Sequence, residues 1–227
     1  MDEVAELSPL AAELLTSLGS TNSSAALEIG GGIALWTYSP HRKTNDIDAW
    51  WKEPYLECRK AIEASVALVA ANNELTWSHR SQSGSESWDL RRESKTVFAF
   101  QVAIKTRPVE SPLPSVWGAL KIESLRENLA NKMSALVQRG APRDLVDIAT
   151  LLRKSLTRES ECWTLWRLKN PEFSIAAAKS TILKHLSSLA SRRPLTAILD
   201  AEERHRAETV RKMVQRLAEA GGALDEA

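Results

Sequence analysis

Two acids, Asp46 and Asp48, stand one residue apart in the run Asn45-Asp46-Ile47-Asp48-Ala49-Trp50-Trp51, downstream of the triplet Gly30-Gly31-Gly32. The polar and apolar alternation predicts a strand, on which residues two apart project from one face, so both carboxylates address one site while Ile47 and Ala49 take the other side. At the ~6.6 Å between such neighbours, two carboxylates repel by roughly 2 to 3 kcal/mol at an effective dielectric near 20. A hard divalent cation reverses that sign. Mg²⁺ is commonly held by one or two carboxylates together with substrate phosphates, and Mn²⁺ accepts the same oxygen donors. The glycines suit the same scheme, because residues without a Cβ let backbone N–H groups approach phosphate oxygens closely. Arg42 and Thr44, just before the acids, add a positive charge and a hydroxyl.

Either segment alone is also what a solvated turn looks like. Their order and short separation point instead to a phosphate and metal site, with Asp46 and Asp48 as metal ligands and Gly31, Gly32, Arg42 and Thr44 at the nucleotide.

The elements that must position these residues follow from periodicity. Ser8-Pro9 is a helix start, and Leu10, Leu14, Leu15 and Leu18 form a stripe that stops at Gly19. Residues 25–29 read as a short buried strand into the glycine turn, 33–38 as a short helix, 46–51 as the acid strand and 54–72 as a longer helix. Residues 75–77 and 88–91 are weaker strand candidates around the loop Ser81-Gln82-Ser83-Gly84-Ser85. Residues 96–105 form a strong strand, with Phe98, Phe100, Val102 and Ile104 on one face and Val97, Ala99, Gln101, Ala103 and Lys105 on the other.

Three prolines, Pro108, Pro112 and Pro114, mark a way out of the sheet region, which places a domain boundary at residue 118: a sheet domain over 1–118 and a helical domain over 119–227. Ser124-Leu125-Arg126-Glu127 has the capping-box pattern, and Leu125, Leu129, Met133 and Leu136 line one helical face. Gly140-Ala141-Pro142 interrupts, and the next helix buries Leu145, Ile148 and Leu152. Helical pattern then continues, with breaks at Asn170-Pro171 and Arg192-Arg193-Pro194 and a last charged helix ending near Gly221-Gly222. The expected fold class is α+β (α/β), a mixed sheet followed by a helical bundle.

With 227 residues, 43% hydrophobic and 26% charged, the chain suits a globular protein with one substantial core or two small domains. No apolar run approaches the ~18 to 20 residues that span a bilayer. The acidic start Met1-Asp2-Glu3 differs from a basic secretory leader, so a cytoplasmic location with no membrane partner is expected. Cys58 and Cys162 are far apart, lack metal-ligand spacing and read as reduced helix residues. A formal charge of +1 gives no global attraction to nucleic acid. Of the eight tryptophans, Trp36, Trp50 and Trp51 flank the proposed site, where core packing is their ordinary role.

A second cluster lies in Glu127-Asn128-Leu129-Ala130-Asn131-Lys132, followed by Arg143-Asp144-Leu145-Val146-Asp147. Lys132 falls on a face distinct from the apolar stripe, where its ammonium could meet a triphosphate. Asp144 opens a helix at its positive end. Those residues read equally well as structure, with Arg143 and Asp147 an i,i+4 pair and Asp144 favouring the helix start.

Taken together, the two clusters resemble the AbiEii/AbiGii family of nucleotidyltransferase-like toxins, minimal members of the DNA polymerase β-type nucleotidyltransferase fold. The family's Gly-Gly-x-Ala-Leu run is matched by Gly31-Gly32-Ile33-Ala34-Leu35, and its Arg-x-Ser-x-Asp-x-Asp run by Arg42-Lys43-Thr44-Asn45-Asp46-Ile47-Asp48, with threonine for serine. Its later lysine helix and Arg-Asp-x-x-Asp are matched by Asn131-Lys132 and by Arg143-Asp144-Leu145-Val146-Asp147. The resemblance implies a metal-bearing mixed sheet, a helical part that closes a nucleotide cleft, and Mg²⁺-dependent transfer of nucleotides from an NTP to an RNA acceptor, the tRNA 3′ end. Asp46, Asp48, Lys132 and Asp144 would be catalytic and Arg143 would join the nucleotide contacts. A toxin–antitoxin or phage-defence role, with an antitoxin protein as partner, comes with it.

Two departures bear on chemistry. The lysine that often precedes Gly-Gly in that family is Gly30 here, which removes a cation from the turn. Where such enzymes commonly have a third carboxylate, the strand at 96–105 offers Gln101, a neutral amide that positions a hydroxyl but does not accept its proton. Asp89 or Asp144 are the candidates to replace it. Gln101 therefore also favours a reading as a nucleotide- or RNA-binding module that has lost the chemistry, and transfer to a protein hydroxyl is a third reading.

Overall fold

The computed structural model describes residues 6–52 and 54–220. The chain divides into two compact units, 1–128 and 129–227, with the division inside helix α4 (Leu125–Gln138).

The first unit is built on a mixed sheet of seven strands among the described residues, ordered β3-β4-β5-β2-β1-β7-β6. These are β1 (Glu28–Ile29), β2 (Asp46–Trp51), β3 (Thr76–Gln82), β4 (Ser85–Arg92), β5 (Lys95–Ile104), β6 (Leu113–Pro114) and β7 (Lys121–Ile122). Strand β2 runs parallel to β5 and antiparallel to β1, and β3-β4-β5 is an antiparallel meander. Because β7 pairs with β1, residues beyond 118 still belong to the sheet, and the division falls at 128.

One sheet face carries the core. Ile47, Ala49 and Trp51 of β2 and Phe98, Phe100 and Val102 of β5 pack with Leu14, Leu15 and Leu18 of α1 (Pro9–Gly19) and Ile62, Val66 and Val69 of α3 (Leu56–Asn72). The other face is left to Asp46, Asp48, Ala99 and Gln101, so strict alternation puts apolar residues into the core and leaves the chemistry on the open side. Helix α1 starts as predicted: Ser8 Oγ accepts the Ala11 N–H at 3.2 Å ahead of Pro9.

Some expectations change. The strand expected over 25–29 is only Glu28–Ile29, because residues 22–26 form a 3-10 turn in which the Thr21 and Ser24 hydroxyls bond each other at 2.8 Å. Short hydroxyl side chains offer local hydrogen bonds that compete with a ladder. The short helix α2 (Gly31–Tyr38) begins at the glycines themselves. The weak candidates at 75–77 and 88–91 are longer, pairing as a hairpin from Thr76↔Arg91 to Gln82↔Ser85. Ser83 and Gly84, both at positive φ, make its two-residue turn. The polar edge strand β3 had no hydrophobic alternation to betray it.

In the second unit, α4 is followed by α5 (Pro142–Arg153), α6 (Glu159–Lys169), α7 (Ile175–Arg192) and α8 (Ala201–Glu219). The predicted breaks at Asn170-Pro171 and Arg192-Arg193-Pro194 fall between these helices, whereas Gly221 and Gly222 lie outside the described residues. Helix α5 buries Leu145, Ile148 and Leu151, with Leu152 half-buried instead. The Trp163 indole donates to the Leu217 carbonyl at 3.1 Å and packs edge-on against Trp166. Both cysteines are buried and free, and burial pushes the Cys58 thiol up to about 11 and the Cys162 thiol up to about 12, which keeps them protonated and inert. Among the described residues no helix is long and apolar enough to cross a membrane.

Candidate active site

The glycine turn is pinned to the acid strand by backbone first. The Gly30 N–H donates to the Asp48 carbonyl at 2.8 Å, and the Gly30 carbonyl accepts from Ala34 N at 3.0 Å to start α2. Gly31 then adopts φ +56°, and a Cβ built on it would lie 2.1 Å from Asp48 Oδ2. Glycine is required there twice, for the left-handed backbone and for the carboxylate lying against it. A Cβ on Gly32 would meet Thr44 Oγ1 at 3.1 Å and the Arg42 guanidinium at 3.5 Å. Thr44, nearly buried, donates to Asp46 Oδ1 at 2.5 Å, which fixes that carboxylate. Gly31, Gly32, Arg42, Thr44, Asp46 and Asp48 thus converge on one place in the sheet unit.

What this place can hold follows from its donors. Asp46 and Asp48 are half-buried on one face, and among the described residues no three His, Cys, Asp or Glu side chains cluster as a complete metal site. Two carboxylates whose remaining positions fall to phosphate and water fit Mg²⁺ better than a metal that demands a protein cage.

Register decides the neighbours. Asp48 pairs with Gln101, which pairs with Ser87, which pairs with Arg80; in the next row Asp46 pairs with Ala99, which pairs with Asp89. The amide of Gln101 therefore sits beside Asp48. Asp89 shares that face two strands from Asp46, ~10 Å between Cα atoms at the usual strand spacing. Its carboxylate is buried and accepts from Arg80 at 2.7 Å and Ser87 at 3.0 Å. A cavity of about 600 Å³ follows the row, lined by Asp48, Gln101, Ser87, Ser85, Gln82 and Arg80.

Sequence reasoning missed a buried polar group beneath the turn. Glu123, with no exposed surface, accepts from Asn128 Nδ2 at 2.6 Å, and the same nitrogen donates to the Gly31 carbonyl at 3.0 Å. A Cβ on Gly30 would lie 2.9 Å from the Glu123 carboxyl carbon. Burial, the largest influence, raises the Glu123 carboxyl to about 7 despite the Asn128 hydrogen bond and the Lys105 charge. Lys105 itself is paired with Glu28 and Glu127. Glu127 makes the backbone half of the capping box, its N–H donating to Ser124 Oγ at 3.1 Å, and its side chain accepts from Val109 N and Glu110 N. The signal available in sequence was an acid and an amide bracketing the Ser124 helix start.

The second cluster lies largely in the helical unit. There Lys132 Nζ is 2.8 Å from Asp147 Oδ2, both side chains almost fully buried. Asp144, with no exposed surface, is gripped by both Arg139 Nε at 2.8 Å and Nη2 at 3.0 Å, while Arg143 is exposed. A carboxylate with both oxygens on one guanidinium is held in place rather than offered as a proton acceptor. The Arg139 contacts tie Asp144, at the start of α5, to the end of α4.

No curated protein matches the chain. Solved structures do, among them two from Helicobacter pylori: a protein described as a candidate nucleotidyltransferase (TM-score 0.57, 16% identity, 92% of each chain covered) and JHP933 (TM-score 0.57, 15% identity, 94% of each chain covered). At that identity the likeness establishes the fold, and it is a nucleotidyltransferase fold. The model of a nucleotidyltransferase toxin family matches residues 14–221, nearly the whole chain and every residue of the turn and acid strand. The chain belongs to the AbiEii nucleotidyltransferase toxin family of type IV toxin–antitoxin systems.

Proposed function

We propose that this nucleotidyltransferase binds a Mg²⁺–NTP complex, or its Mn²⁺ equivalent, at Asp46 and Asp48 and transfers the nucleotide, with release of pyrophosphate, to an RNA acceptor, the tRNA 3′ end by family resemblance. The observation that carries the reading is Gly31, held at positive φ with no Cβ directly under the Asp48 carboxylate. When bound, the ion neutralises charge on the triphosphate and polarises the phosphoryl group under attack. The amides at the start of α2 and the Arg42 guanidinium accommodate phosphate oxygens, and Thr44 keeps Asp46 in its orientation. Positioning and electrostatic stabilisation then supply most of the rate. Lys132 as a triphosphate contact, and Arg143 beside it, rest on the family resemblance alone; pairing with Asp147 uses one of the three ammonium donors. An antitoxin as protein partner, a role in phage defence and action in the cytoplasm belong to the same proposal.

Asp46→Ala should abolish transfer of label from an α-labelled NTP to tRNA while the circular dichroism spectrum is kept. Retained transfer overturns the assignment. Gln101 beside Asp48 favours a second reading, a module that binds NTP without transferring it. Calorimetric NTP binding with Mg²⁺, joined to no labelled product from RNA or protein pools, selects that reading. Label removed by protease and spared by RNase would move the acceptor to a protein hydroxyl.

A further inference from the structure

The glycine turn has a third attachment besides α2 and the Asp48 backbone, and it comes from Asn128, on the helix that also carries Lys132. Asn128 is fully buried, and its Nδ2 faces two acceptors, the Gly31 carbonyl at 3.0 Å and Glu123 Oε2 at 2.6 Å. Only the amide nitrogen, with two hydrogens, satisfies both, so these partners fix which way the amide points. Asn128 Oδ1 is left buried without a hydrogen-bond partner among the described residues, as is Trp50 Nε1, which lies 2.3 Å from where a Gly30 Cβ would be. An amide kept in place at the cost of an orphaned oxygen is a poor way to fill a core, where leucine would pack without loss. The arrangement makes sense if the Gly31 carbonyl must be held.

Resting on the phosphate-site reading above, we propose that Asn128, oriented by Glu123, is a positioning residue: it holds the Gly31 carbonyl inward so that the amides of the turn face the nucleotide phosphates. Neither side chain touches the nucleotide. The groups facing Glu123 are Asn128 and Glu127 from α4, Glu28 from β1, Lys105 after β5 and Tyr38 from α2, whose hydroxyl donates to the Glu123 carbonyl at 2.9 Å. Lys105 is engaged with Glu28 and Glu127, and the Glu123 carboxyl accepts from Asn128 Nδ2 at 2.6 Å, which orients the amide.

Asn128→Leu keeps the bulk of the side chain and removes the donor, so it should fold. Loss of a hydrogen bond of ordinary strength should raise the KM for NTP about 3- to 10-fold, with kcat falling by less than KM rises. Independently of activity, amide hydrogen exchange over residues 31–33 should quicken while exchange in β2 and β5 stays unchanged. Glu123→Gln keeps an acceptor for Asn128 and should retain the wild-type KM, whereas Glu123→Ala should behave like Asn128→Leu. Wild-type KM and exchange in Asn128→Leu overturn the inference; should that variant fail to fold, the Gln and Ala pair at Glu123 decides it, and equal KM values in that pair overturn it. Asp48→Asn run in parallel separates the two levels: if it still transfers label, the phosphate-site reading fails, and if it is dead while Asn128→Leu is normal, only the positioning role fails.

Discussion

The two clusters of charged residues in this chain met different fates. In the sheet unit, Asp46 and Asp48 stay half-exposed on the open face, next to glycines whose missing side chains leave the turn's backbone bare. In the helical unit, Lys132, Asp147 and Asp144 are withdrawn almost entirely from solvent and closed in ion pairs. The difference follows from geometry. A strand exposes one whole face when only the other is covered, whereas helix neighbours that pack together bury any long side chain between them, and a buried charge must find a partner. Similar residue types therefore read as a ligand site in the first region and as a structural tie in the second.

The comparison breaks most readily at the acids. Asp48→Asn should lower transfer by about a thousandfold or more, the scale expected when electrostatic stabilisation of a phosphoryl group is removed, while leaving the melting temperature unchanged or higher. Steady-state transfer of α-labelled NTP measures the first and calorimetry the second. Asp147→Ala should do the reverse and act on the fold, costing about 3 to 5 kcal/mol because a buried ammonium loses its partner. Urea denaturation reads that loss, and the double variant Lys132→Met/Asp147→Leu should recover most of it. If the recovered protein also transfers normally, Lys132 has no contact with the triphosphate.

Glu123 sharpens the contrast within the sheet unit, since it is a buried acid that accepts from a neutral amide, Asn128. Its carboxyl sits near 7 against an ordinary 4.5, raised above the unfolded value, so folding favours the protonated form. Stability from this group is complete below about pH 4.5 and is lost as pH rises through about 7, on the order of 3 kcal/mol by pH 8. Glu123→Gln should remove that slope, so the stability gap between variant and wild type should widen from pH 5 to pH 8; a constant gap refutes it. Among these variants the smallest effect should come from Asp89. If it accepts the proton that Gln101 is unable to take, Asp89→Asn lowers kcat about a hundredfold, less than Asp48→Asn; an unchanged kcat leaves it as the anchor of Arg80 and Ser87.

Much of the site was legible because it is local. Asp46 and Asp48 share a face for the same reason that Phe98, Phe100 and Val102 share the opposite one: a strand repeats every two residues whatever lies beside it. The Ser8-Pro9 start of α1 and the breaks before α7 and α8 needed only neighbouring residues. Of the hairpin over 76–92 only parts were legible, as strand candidates at 75–77 and 88–91, because its outer strand is polar and its full length depends on pairing with β4 rather than on any pattern of its own.

By itself, then, the sequence determined that two acids, a glycine turn, an arginine and a threonine belong to one constellation, since their types, order and short spacing restrict them to one strand and its approach. Only the tertiary structure decided what stands around it. Strand register put Gln101 beside Asp48 and Asp89 beyond Ala99, and packing beneath the turn brought Glu123 and Asn128 to Gly31 from far along the chain. Burial chose ion pairing for Lys132 and Asp144. Local torsions repeat with a period that can be read along the chain, but which distant segments meet is settled by the cooperative burial of a whole face, and no short run of residues encodes that alone.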